Sequence, residues 1–125
     1  MDERSQKILI ADPDPGILQS MTIFLKENYS ICEASNALQV LERVENEEMD
    51  LLIIDAHLEG IYLFDMLRMI REAAPELPII VMYIYLGKSQ QIEENIREIV
   101  DACVIKPFRN DDLLKTIETL IRKRR

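Results

Sequence analysis

Four residues whose side chains could bind charged groups stand where short apolar runs end: Asp12, Asp55, Tyr83 and Lys106. Carboxylate oxygens are the ligands that Mg²⁺ prefers in proteins, and an ammonium group pairs with phosphate. If the apolar runs are neighbouring strands, these side chains meet and form a site for a divalent cation and a phosphoryl group. Each residue alone also has a structural interpretation, as a turn residue, a helix cap or a solvated lysine.

The apolar runs alternate with amphipathic segments along the whole chain. Continuous apolar runs, typical of strands buried on both faces of a parallel sheet, span Lys7–Ala11, Leu51–Asp55 and Pro78–Met82, and shorter runs span Tyr29–Glu33 and Ala102–Ile105. Apolar residues recur at helical spacing between them. Five strands alternating with five helices predict an α/β fold with a doubly wound parallel sheet, in which ligands bind beyond the carboxyl ends of the strands.

Two helix starts are marked by capping residues. Asp14 followed by Pro15 is typical of an N-cap and a first helical residue. Asn110 precedes Asp111 and Asp112, whose carboxylates suit the positive end of a helix dipole. Asp14 therefore has a structural role available to it besides any role in metal binding.

Composition limits the classes of function. The chain has 48% hydrophobic and 30% charged residues, as in a globular protein, and we expect one domain over residues 1–125. No apolar run reaches the length of about 20 residues that spans a membrane, and the amino end lacks the apolar stretch of a signal peptide, so we expect a cytoplasmic protein with no membrane contact. A net charge of −8 argues against nucleic-acid binding by the domain. The basic end, residues 122–125, is more simply explained as the complement of a helix dipole.

The order of these signals resembles the receiver domain of bacterial response regulators in two-component signalling. The segments ILIADPDPGIL, MDLLIIDAHLEG, ELPIIVMY and VIKPF are similar to the first strand with its acidic turn, the phosphoacceptor strand, the fourth strand and the lysine–proline–aromatic signature. The resemblance implies a flavodoxin-like (βα)5 fold with strand order 2-1-3-4-5. It also implies a phosphorelay protein rather than an enzyme, with a histidine kinase or phosphotransfer protein as its partner.

The resemblance assigns expected roles to individual residues. Asp55 matches the phosphoacceptor, and Asp12 matches the first acid of the turn that holds Mg²⁺. His57 occupies the position whose backbone carbonyl is a metal ligand. Lys106 matches the lysine that pairs with the phosphoryl group, and the Lys106–Pro107 bond matches one that is commonly cis.

The chain also departs from the family pattern. Pro13 stands where a second acid usually provides a metal ligand, and Asp14 could replace it only through water. Tyr83 occupies the switch position, where a small hydroxyl residue usually contacts the phosphoryl group, and its ring is expected to crowd the crevice. Cys103 stands where an aromatic side chain usually rotates on activation. We therefore expect impaired Mg²⁺ binding and impaired switching in an atypical receiver.

Three functional alternatives follow. Asp55 accepts phosphate at reduced efficiency, or the domain is a pseudo-receiver that binds a partner without phosphorylation. A less favoured alternative is a haloacid-dehalogenase-like phosphatase, because Asp12 and Asp14 form an Asp-x-Asp motif after a strand. A homodimer through the fourth helix, the fifth strand and the fifth helix is a further alternative, since the fourth helix carries the mainly acidic set Glu93, Glu94, Arg97 and Glu98 and the fifth helix ends in the basic cluster.

Replacing Pro13 by Asp should tighten Mg²⁺ binding. The substitution restores a negatively charged oxygen at a site where Mg²⁺ depends on few protein carboxylates. Isothermal calorimetry of the wild type and Pro13→Asp measures the difference. Equal affinities in the two proteins would contradict a metal site weakened by Pro13.

Overall fold

The structure is a computed structural model that describes residues 6–84 and 94–124. Five strands are present in this part of the chain: β1 (Lys7–Ala11), β2 (Ser30–Ala34), β3 (Leu51–Asp55), β4 (Ile79–Ile84) and β5 (Ala102–Lys106). The helices are α1 (Pro15–Leu25), α2 (Ala37–Asn46), α3 (Leu63–Ala73), α4 (94–96) and α5 (Asn110–Arg124). The strict alternation of strands and helices is as predicted.

All five strands are parallel, in the order β2-β1-β3-β4-β5. This is the flavodoxin-like order that the resemblance implied. The central strand β3 is buried at all five positions, which explains its uninterrupted apolar run Leu51–Asp55. The bounds predicted for β1 and β3 are confirmed, because both strands are covered by helices on two faces and have four consecutive apolar residues each.

Other element bounds differ by one or two residues from those predicted. β4 continues to Ile84 because Tyr83 and Ile84 pair with Ile105 and Lys106 of β5. Tyr83 therefore lies within a strand and not after it. The bond between Lys106 and Pro107 is cis, as the resemblance implied.

Side chains of the cap residues define where two helices begin. The Asp14 carboxylate accepts a hydrogen bond from the Gly16 amide at 2.8 Å, and Pro15 occupies the first helical turn of α1. The Asn36 side chain accepts one from the Gln39 amide at 3.0 Å and caps α2. The capping role predicted for Asp14 is confirmed. α5 begins at Asn110, and Asp111 and Asp112 lie in its first turn, where the carboxylates were predicted.

The helices cover the sheet as two layers with separate cores. Alternate strand residues face α2 and α3 on one side, among them Leu9, Leu52, Ile54 and Val81. The intervening strand residues face α1 and α5 on the other side, among them Ile8, Ile53, Ile80 and Met82. Because side-chain direction alternates along a strand, the position of a residue in its strand determines which helix layer it meets.

Arg71 of α3 binds the turn before β4 and the turn before β5, at the end of the sheet opposite the strand carboxyl ends. Its guanidinium donates hydrogen bonds to the carbonyl oxygens of Leu77 and Ile99, both at 2.6 Å, and of Pro75 at 3.1 Å. It also lies 3.5 Å from the carboxylate of Asp101, which accepts the amide hydrogen of Ile79. The planar guanidinium thus fixes the turn before β4 and the turn before β5 to the same helix.

Candidate functional site

Three charged side chains meet at the carboxyl edge of the sheet. Asp12 directly follows β1, Asp55 is the last residue of β3, and Lys106 is the last residue of β5. Counting alternate residues from the core positions of each strand assigns all three to the layer that α1 and α5 cover. The parallel sheet order therefore brings together residues that are up to 94 positions apart in the chain.

The Lys106 ammonium bridges the two carboxylates. Its Nζ lies 2.6 Å from Asp12 Oδ2 and 2.5 Å from Asp55 Oδ2. The side chains of Asp12 and Asp55 are 1% and 5% exposed, and that of Lys106 is 13% exposed, so all three groups are largely removed from water. Buried charges require partners, and here each charge has one.

The second oxygen of each carboxylate is bound by the backbone. Asp12 Oδ1 accepts the Asp14 amide hydrogen at 2.9 Å, and Asp55 Oδ1 accepts the His57 amide hydrogen at 2.7 Å. The His57 imidazole is half-exposed, with Nδ1 3.9 Å from Asp55 Oδ1. Both carboxylates are therefore held by a backbone amide on one side and by Lys106 on the other.

The carboxylates also change the protonation of Lys106. Burial alone lowers its pKa, but the hydrogen bonds and charges of Asp12 and Asp55 outweigh burial and hold the pKa of Lys106 above its ordinary value of 10.5. Lys106 is therefore charged at neutral pH. Because folding raises this pKa, the pairing stabilises the fold fully below pH 10.5, and the contribution is lost as the pH rises above that value.

The oxygen donors at this edge fit Mg²⁺, but few of them are charged. Asp12 and Asp55 contact the same cation, the Lys106 ammonium, and the carbonyl of His57 follows two residues after Asp55. Across residues 6–84 and 94–124, no group of three or more His, Cys, Asp or Glu residues is arranged to hold a metal ion. Asp14 is exposed, and its Oδ1 is engaged in capping α1.

Tyr83 is buried, with 1% of its surface exposed. Its alternation with Val81 assigns it to the layer of α2 and α3, and Cys103 packs against that same core. Asp55 and Lys106 belong to the opposite layer. The expectation that the ring crowds the crevice stays a prediction, but the structure places the phenol inside the protein rather than on its surface.

A groove of about 800 Å³ opens beside Lys106, and the sequence did not predict it. It lies between the first turns of α1 and the segment that follows β5. Apolar side chains of Ile17, Met21, Ile84 and Phe108 line it, and Lys106 stands at its edge. Its residues come from three distant parts of the chain, so only the sheet order could have indicated it.

The fold and the acid–lysine cluster are those of the response regulator receiver domain. The family model of that name, response regulator receiver domain, matches residues 8–118. The chain therefore belongs to this family. In the described ranges, no helix is long and apolar enough to cross a membrane.

Curated relatives include proteins of very different length. Sporulation initiation phosphotransferase F of Bacillus subtilis is 29% identical over 115 residues, which cover 91% of this chain and 92% of that protein. Regulatory protein VanR of Enterococcus faecium is 30% identical over 122 residues, 95% of this chain and 51% of VanR. The DNA-binding response regulator MtrA of Mycolicibacterium smegmatis is 27% identical over 126 residues, which cover 98% of this chain and 54% of MtrA. The chain thus spans about half the length of VanR and MtrA.

Solved structures confirm the fold. A CheY-like response regulator receiver domain protein from Methanospirillum hungatei superimposes with a TM-score of 0.86, at 26% identity and with 96% of each chain covered. Response regulator protein TrrA from Thermotoga maritima, solved in complex with Mg²⁺-BeF, gives a TM-score of 0.81 at 26% identity, covering 92% of this chain and 98% of that one.

Opposite effects on stability are expected from removing the lysine and removing one carboxylate. Lys106→Met leaves two buried carboxylates without their cation and should lower the free energy of unfolding by about 3 kcal/mol. Asp55→Asn relieves the repulsion between like charges and should raise it by about 1 kcal/mol. Urea denaturation at pH 7 measures both.

The exposed Glu45→Gln is the matched control, because Glu45 has no part in the cluster, and its effect should stay within about 0.5 kcal/mol. A lower midpoint for Asp55→Asn than for the wild type would contradict repulsion between Asp12 and Asp55.

Proposed function

We propose that this domain is a phosphoacceptor of a two-component system, with Asp55 as the residue that receives the phosphoryl group from a histidine kinase or phosphotransfer protein. The observation that carries the proposal is the pairing of Asp55 with Lys106 and Asp12 at the end of the central strand. A cytoplasmic location is part of the proposal. Family membership favours this role over the haloacid-dehalogenase-like phosphatase, as does the use of Asp14 as a helix cap.

The proposed reaction moves one phosphoryl group between two side chains. An Asp55 oxygen attacks the phosphorus of a phosphohistidine, the P–N bond breaks, and its electron pair returns to the imidazole nitrogen as the acyl phosphate forms. Both Asp55 oxygens have a hydrogen-bond partner in the resting site, but each keeps a second lone pair with which it could attack the phosphorus. Lys106 can then pair with the transferred group, since an ammonium follows negative charge without a fixed geometry.

Asp12, Asp55 and the His57 carbonyl are the proposed holders of Mg²⁺. Mg²⁺ bound there would neutralise negative charge on the phosphoryl oxygens during transfer. We propose that binding is weak, because Pro13 provides no carboxylate and Lys106 already neutralises part of the charge on both acids. Asp14 could contribute only through a water molecule while it caps α1.

A pseudo-receiver, which binds its partner without phosphorylation, is the second candidate. It is supported by the completeness of the resting cluster: in the part of the chain that the structure describes, no buried side-chain nitrogen or oxygen lacks a hydrogen-bond partner. It is also supported by Tyr83, whose ring is buried where a small hydroxyl residue usually moves. Each charged side chain of the cluster has a hydrogen-bond partner within the chain.

The dimer surface proposed from the sequence is only partly within the described residues. Glu94, Arg97 and Glu98 are exposed at the end of α4, and Glu93 lies outside the described ranges. Arg122 and Lys123 are exposed on the last turns of α5. The carboxylates of Glu94 and Glu98 are opposite in charge to Arg122 and Lys123, which is compatible with a two-fold contact through α4, β5 and α5 and stays a proposal.

Incubation with a small phosphodonor such as acetyl phosphate and Mg²⁺ tests the phosphoacceptor directly. Intact-mass spectrometry should show the addition of one phosphoryl group to the wild type and none to Asp55→Asn. Lys106→Arg keeps the positive charge and is expected to retain partial labelling. Labelling of Asp55→Asn to the wild-type level would place the acceptor elsewhere, and an unlabelled wild type would support the pseudo-receiver.

Beryllofluoride, which mimics a phosphoryl group on Asp55, should produce only a local response. The buried Tyr83 ring cannot make the short movement of a small side chain, and Cys103 is not a bulky rotor that could follow it. We expect backbone amide NMR shifts near Asp55 and Lys106, little change along α5, and no change in Asp55→Asn. Large shifts spread over α5 would show that a switch operates through other residues.

A further inference from the structure

Four large apolar side chains are exposed on the outer side of the α2–α3 layer: Leu38, Tyr62, Phe64 and Met69, with 71%, 84%, 43% and 44% of their surface accessible. We call this set the α2–α3 patch. Single exposed apolar residues are ordinary, but a group of them that includes two aromatic rings is typical of an interaction surface. None of these four residues belongs to the phosphoryl site.

The patch is held together by contact between α2 and the loop before α3. The Ala37 amide donates a hydrogen bond to the Glu59 carbonyl at 2.9 Å. Gly60 has a φ of 119° and lies so close to Ala37 that a Cβ on it would be 3.2 Å from the Ala37 Cβ. Leu38 follows this contact by one residue and Tyr62 by two, so the two exposed side chains belong to one surface.

Phe64 and Met69 extend that surface along α3. Positions 64, 65, 68, 69 and 72 are all exposed, which is the spacing of one helix face. Arg68 lies over the Phe64 ring, with its guanidinium carbon 5.7 Å from the ring centroid. The buried residues of α3, in contrast, are Met66, Leu67 and Ile70, which face the core.

The charge around the patch is negative. Five exposed carboxylates lie on these two helices and on the loop before α3: Glu42, Glu45, Glu59, Asp65 and Glu72. Within residues 6–84 and 94–124 none of the five forms an ion pair, whereas Arg43 is engaged by Glu47 at 3.0 Å. An apolar surface with negative charge beside it repels nucleic acid and anionic lipid and attracts Lys and Arg.

We propose that the α2–α3 patch is a docking surface for a basic amphipathic helix of a partner protein. The apolar face of such a helix would cover Leu38 and Phe64, and its flanking Lys and Arg side chains would pair with the carboxylates. The patch belongs to the opposite helix layer from the one to which Asp55 and Lys106 are assigned. Docking there is therefore compatible with either candidate function, and it does not depend on phosphorylation.

A designed peptide provides the probe. It is a helix of about 18 residues, roughly five turns, with Leu at i, i+3, i+4 and i+7 and Lys at the remaining solvent positions. A peptide of identical composition in scrambled order, without an apolar face, is the control. NMR titration of the labelled domain should shift amides of α2 and α3, and the scrambled peptide should bind at least about tenfold more weakly.

Variants of exposed residues locate the contact. Leu38→Ser and Phe64→Ser should each weaken peptide binding about fivefold or more. The double variant Glu42→Gln and Glu45→Gln should make the peptide affinity less dependent on salt concentration. Ile23→Ser is the matched control, because Ile23 is 55% exposed on α1 and should leave the affinity unchanged. Circular dichroism of each variant checks folding.

Three results would overturn the proposal. The first is equal binding of both peptides, which indicates charge attraction alone. The second is binding at another surface, seen as amide NMR shifts centred on α1 and α5 or as a loss of peptide affinity in Ile23→Ser as large as that in Phe64→Ser. The third is a wild-type dimer in sedimentation that dissociates on Phe64→Ser, since the occupant would then be a second copy of this chain.

Discussion

The ammonium of Lys106 lies between two buried carboxylates, and this contact connects the carboxyl ends of three strands. Without the cation, Asp12 and Asp55 would face each other in a site almost closed to water, where like charges repel strongly. The strand order places β1 and β5 on either side of β3 and β4, so the lysine must reach across the edge of the sheet. The cluster therefore stabilises the fold and, in the proposed function, supplies the nucleophile and its counter-charge.

Because side-chain direction alternates along each strand, the charged cluster and the positions of Tyr83 and Cys103 belong to opposite helix layers. Asp12, Asp55 and Lys106 belong to the layer of α1 and α5, together with the groove beside Lys106. Tyr83 and Cys103 belong to the layer of α2 and α3. In the proposed function, a signal that starts at Asp55 would have to pass through the sheet to reach the second layer, and the buried Tyr83 ring would hinder that passage.

Much of the fold could be predicted from the sequence, because buried parallel strands are uninterrupted apolar runs. β1 and β3 were predicted with their observed bounds, while β2 and β4 were not. Edge strands and strand ends depend on pairing with distant residues, as Tyr83 with Ile105 illustrates. The convergence of Asp12, Asp55 and Lys106 could be predicted from strand order and family resemblance. The groove and the contacts of Arg71 could not be predicted, because they depend on backbone positions that the residue types do not indicate.

The hydrogen bonds of Arg71 do not depend on which side chains its acceptor residues carry. Three of its hydrogen bonds end on carbonyl oxygens, which every amino acid carries. Positions 75, 77 and 99 can therefore change side chain without removing an acceptor, provided that the backbone path is kept. Only the Arg71 side chain is required for these contacts. Substitutions in the two turns that it joins therefore cost little stability.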